Sequence, residues 1–149
     1  MNERATTSRS QLRAHREVFW DAWQKHLAGL PLNALEVRIS RVVVLHPEYH
    51  QLFDDREDFL ERDFGVDDGS NPYLHLSLHL ALEEQIATRQ PPEAALLLES
   101  LIQRKGLGRH DALHVLLEKL AETVYLAQRE GREPDVKAYS LSLKKLVIL

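Results

Sequence analysis

Cysteine is absent from the 149 residues. That removes disulfides, thiolate metal ligands and cysteine nucleophiles at once. No apolar run reaches the roughly 18 residues that a membrane span needs, and the first ten residues carry no apolar core of a secretory signal. A basic surplus is also missing. Nineteen Lys and Arg against 23 Asp and Glu give a formal charge of −4, which argues against a dedicated nucleic-acid binder. There is no phosphate-binding glycine loop, nucleophile elbow or dinucleotide fingerprint. These absences lead us to expect a cytoplasmic protein with no nucleic-acid partner and no membrane partner.

What is present fits one globular domain. Apolar residues make up 44% and charged residues 28%, an ordinary globular balance. Apolar residues at Leu12, Val18, Phe19, Trp20, Trp23 and Leu27 recur at gaps that suit an amphipathic helix, ended by Gly29 and Pro31. Asn33 can cap a second helix with Leu35, Ile39, Val42 and Val43 on its inner face. Val42-Val43-Val44 favours a strand, but the chain offers no other convincing strand to pair with it. Pro47 should kink or restart that helix. Asn71-Pro72 starts a further helix running to about Arg89, and Pro91-Pro92 stops it. Helices over about 93–105, 108–129 and 135–145 follow, with Gly106 and Gly131 as stops. The expected fold is all-α: a single-domain bundle of five to six helices over 1–149, with 1–8 disordered and 56–70 a loop with room for one helical turn. The tail Leu146-Val147-Ile148-Leu149 is apolar and should pack on the core or on a partner, such as a second copy in a homodimer.

Eight histidines are about twice the usual share, and six of them form three pairs at i,i+4: His46/His50, His75/His79 and His110/His114. An acid follows each pair four residues on: Asp54, Glu83 and Glu118. Chance supplies roughly 0.4 such pairs at this histidine frequency, so three with acids are a strong signal. Residues four apart lie one above another on a helix face, where two imidazoles can clamp one ion or reach two adjacent ions. The acid one turn on can ligate, bridge two metals, or accept the second N–H of a ligating imidazole. The pairs share stripes with apolar residues, and burying them without partners would cost several kcal/mol per group. The expected metal site therefore lies between three helices. Its ligands are His46, His50, His75, His79, His110 and His114, with Asp54, Glu83 and Glu118 as supporting or bridging acids. His15 and His26 lack the spacing and read as surface residues. Trp20 and Trp23 read as core. Glu17 and Asp21 could reach the site from the first helix.

Nine donors exceed the needs of one ion and suit two metals sharing a carboxylate. A His-rich set favours iron, with zinc or manganese as alternatives, over calcium or magnesium.

The stretches Pro31 to Leu35, His46-Pro47-Glu48-Tyr49-His50, Asn71 to Leu80, and Arg109-His110-Asp111-Ala112-Leu113-His114 resemble an uncharacterised proteobacterial family, the domain of unknown function numbered 1841. The resemblance spans about residues 10–145 and implies no particular activity. The histidine spacing is also similar to that of haemerythrin-like bundles, which hold two irons between antiparallel helices. This chain differs in carrying three full His-x3-His pairs and a proline beside His46. His110-Asp111 resembles the doublet of helical HD-type phosphohydrolases, although Asp111 lies off the His110/His114 stripe.

Three functions follow from this reading. The first is a dinuclear, preferably di-iron, protein acting on oxygen, peroxide or a small molecule. The second is a non-catalytic interaction or structural module, with a structural ion or none. The third is a zinc or manganese hydrolase with Glu83, Glu84 or Glu118 as general base.

Overall fold

The structure is a computed structural model that describes residues 2–63 and 71–148, with side chains over 10–63 and 71–147. All regular elements among the described residues are helical. They are α1 (Asn2–Leu27), α2 (Ala34–Val44), a 3₁₀ helix (Pro47–Asp54), α3 (Arg56–Glu61), α4 (Pro72–Thr88), α5 (Pro92–Lys105), α6 (Arg109–Glu130) and α7 (Val136–Ile148). Seven α-helices and a 3₁₀ helix exceed the expected five to six. No helix among the described residues is long and apolar enough to cross a membrane. The chain divides into two compact units, Met1–Leu76 and Ser77–Leu149. The division falls inside α4, which is one continuous helix.

In the first unit α1 packs against α2 and α3. The backbone is helical from Asn2, so the expected disorder over 1–8 is corrected for residues 2–8. Asn33 caps α2 as expected: its side chain accepts the Glu36 N–H at 2.8 Å, and Glu36 returns the contact to the Asn33 N–H at 2.9 Å. This reciprocal box satisfies two amide donors that a helix start leaves bare. It also changes the inner face. Glu36 is buried, bonded to Lys25 Nζ at 2.8 Å, whereas Leu35 is 46% exposed rather than inward. The Asn33 N–H and then Lys25 hold the Glu36 carboxyl below the usual carboxylate range.

The acid-rich stretch, expected as a loop with room for one helical turn, holds the six-residue α3; residues 64–70 of that stretch lie outside the described residues. Asp55 accepts the Asp58 N–H at 3.1 Å, and Glu57 and Asp58 occupy the first turn, where acids meet the positive end of the helix dipole. The other end is held from a distance. Arg16, 4% exposed, donates from Nη1 to the carbonyls of Phe59 (3.4 Å), Leu60 (3.3 Å) and Arg62 (2.7 Å). Burial pushes its guanidinium below the ordinary arginine value, and the cation also lies 5.3 Å from the Tyr73 ring centroid. Phe59 completes the core here. It packs on Phe53 (4.6 Å between ring centroids) and on Trp20 (5.7 Å).

The second unit packs α5 against α6 and α7, and α6 against α7. Leu98, Ala112 and Leu113 form a buried cluster joined by Ile86 of α4. Gly106 and Gly131 end α5 and α6 with φ of 69° and 63°, the left-handed caps that glycine adopts without strain. In the apolar tail, Leu146 and Val147 are half-buried; the Ile148 side chain and Leu149 lie outside the described residues.

Tyr139 anchors α7. It is 4% exposed and donates its hydroxyl to Gln85 Oε1 at 2.7 Å. Burial pushes its phenol up to about 12, whereas an unfolded tyrosine ionises near 10. The neutral phenol therefore stabilises the fold fully below about pH 10, and that stabilisation is lost as pH rises from there towards 12. We expect Tyr139→Phe to cost about 1 kcal/mol at neutral pH. Thermal melts should show the gap closing above pH 10, and parallel wild-type and variant curves there would contradict this.

Candidate metal centre

The first unit brings His46 and His75 together. Pro47 disfavours the α conformation at the residue before it, and His46 accordingly leaves α2 with φ −125° and ψ 65°. The break turns its ring back along α2, where Nδ1 lies 2.7 Å from the Val42 carbonyl. A carbonyl only accepts, so Nδ1 carries the proton and Nε2 keeps its lone pair. That Nε2 lies 3.1 Å from Nε2 of His75, with the rings at 79°. His46 is 1% exposed. Tyr49 stacks parallel on His46 at 5.6 Å and meets His75 edge-on at 5.8 Å. Burial raises the Tyr49 phenol, which keeps it neutral.

The second unit brings His79, His110 and His114 together. His79 is 1% exposed, and its Nε2 lies 3.1 Å from Nε2 of His114. The His110 ring lies 5.3 Å from that of His79 and 4.4 Å from that of His114. His75 and His79 occupy successive turns of one face of α4.

His50 is not brought to these rings. The i,i+4 rule assumes 3.6 residues per turn, but the chain after Pro47 is 3₁₀, with three per turn, so a residue four on is rotated by about 120°. His50 instead donates from Nε2 to the Val43 carbonyl at 2.8 Å and packs on Trp23 at 4.8 Å. The acids also lie elsewhere. Asp54 and Glu118 are exposed. Glu83 forms a two-pronged ion pair with Arg109, at 2.8 and 2.9 Å. Glu17 pairs with Arg13 and Arg56, and Asp21 is exposed. His15 and His26 are exposed, as expected, with His26 stacked on Trp23 at 5.1 Å.

The donor chemistry fits a transition-metal ion. Two nitrogens bound to one ion at 2.0–2.1 Å lie about 3.3–3.4 Å apart in a tetrahedron and about 2.9 Å apart at adjacent octahedral positions. Both Nε2–Nε2 separations, at 3.1 Å, fall between these values. The contact of His46 Nδ1 with a backbone carbonyl is the usual support of a ligating imidazole.

A family model described as Domain of unknown function (DUF1841) matches residues 10–145. The chain belongs to that family. No curated protein and no solved structure is significantly similar to it. The family match covers all five clustered histidines together with Glu83 and Arg109.

Proposed function

We propose that the protein binds a first-row transition-metal ion through its close imidazole pairs, His46 with His75 in the first unit and His79 with His114 in the second, with His110 beside the last two. The observation that carries this reading is the His46 ring. It is fixed through Nδ1 on Val42 and aims a lone pair at a second imidazole nitrogen 3.1 Å away. Its counterpart at His79 and His114 has the same separation. In the absence of an ion, each close Nε2 pair needs one ring to donate to the other. With an ion present, both rings present lone pairs to it.

Neutral imidazoles leave the charge of a divalent ion uncompensated, so the site would favour water, hydroxide or an anion as a further ligand. A tetrahedral zinc ion held by one such pair would keep two positions for a neighbouring side chain or water. Iron would add redox chemistry on oxygen or peroxide. A di-iron centre would also require a bridging carboxylate, and Glu83, one turn past His79, is the acid best placed to supply it. Elemental analysis of untagged protein tests the proposal. About one equivalent of a first-row metal should survive washing, with visible absorption if it is iron and none if it is zinc. Protein that holds no metal and takes none up rejects it.

A further inference from the structure

We propose that Arg109 competes with the metal for Glu83, so that Glu83 is an exchangeable ligand rather than a permanent surface ion pair. The inference rests on the metal reading above. Glu83 follows His79 by one turn of α4, and Arg109 immediately precedes His110 on α6. The ion pair therefore sits one turn beyond the parallel contact of the His79 and His110 rings, which is 5.3 Å between centroids.

Side chains on a helix lean towards its N-terminus. A relaxed Glu83 side chain would thus lie over the turn that carries His79. The Arg109 fork holds the carboxylate instead, through both oxygens. The Glu83 side chain is 25% exposed and that of Arg109 is 49% exposed, so neither is locked in the core and exchange needs only side-chain rotation. A carboxylate would also offset the ionic charge that neutral imidazoles leave. Because the two partners draw on one carboxylate, metal loading weakens the Arg109 contact and the Arg109 contact weakens metal loading by the same factor.

The test is zinc affinity, measured against a chromophoric chelator, for wild type, Arg109→Gln, Glu83→Gln and the double variant. The pair is exposed enough that its loss should leave the fold intact, which a melt in chelator checks. Arg109→Gln should bind zinc about five-fold more tightly. Glu83→Gln should bind about ten-fold more weakly, and the double variant should match Glu83→Gln. Unchanged or weaker binding by Arg109→Gln, or a gain that persists without Glu83, overturns the inference while leaving the metal reading intact. Wild-type protein that takes up no zinc overturns both.

Discussion

Replacing His79 with alanine is expected to lower metal affinity by about 100-fold or more. Outer partners of a metal ligand are themselves worth 10–100-fold, and His79 is a proposed ligand, with its Nε2 3.1 Å from that of His114. The variant should also lose stability in a metal-dependent way. An ion that binds only the folded chain adds about 2.7 kcal/mol when present at 100 times its Kd. The stability gap between wild type and His79→Ala should therefore be wider by about that amount in metal than in chelator. A remaining gap in chelator is expected too, because His79 is 1% exposed and its removal leaves a hole beside His110 and His114. Equal gaps under both conditions would make His79 a packing residue only. His15→Ala, at an exposed site on α1, should change neither quantity.

The second large effect lies away from the metal. Phe59 is 1% exposed on α3 and packs on Phe53 and Trp20. Truncating such a residue to alanine removes its transfer energy and leaves a cavity, for a total of about 3–5 kcal/mol. We expect Phe59→Ala to cost this much by urea unfolding, a large share of the 5–15 kcal/mol that holds a typical domain. The short helix it occupies depends on that packing and on Arg16, since six residues form no stable helix alone. A loss under about 1 kcal/mol would show that α3 is peripheral to the first unit.

The helical class, the Asn33 and Asn71 caps and the glycine stops at 106 and 131 are legible because each depends on neighbours within a turn. Leu74 accepts this logic directly, donating its N–H to the Asn71 side chain at 3.0 Å. The histidine pairs on α4 and α6 are legible for the same reason, because both helices keep the 3.6-residue period. The limits follow from the same physics. His50 departs because Pro47 changes the helix type between it and His46. The acids four residues past each histidine pair share a helix with the imidazoles, but spacing does not say which cation reaches them first. Arg109 lies 26 positions from Glu83 and takes it. α3 is hidden because the group that satisfies its last carbonyls, Arg16, comes from more than 40 positions earlier. An acid-rich stretch then reads as a loop with one turn at most, although its acids are those a helix start prefers.

On the proposed reading, imidazole nitrogens hold an ion. X-ray absorption at the K edge of the bound metal, on protein purified without a tag, tests it most directly. A first shell of nitrogen or oxygen at about 2.0–2.1 Å is expected, with the outer scattering of at least two imidazole rings. A shell of oxygens alone, or scattering from fewer than two imidazoles, would contradict it.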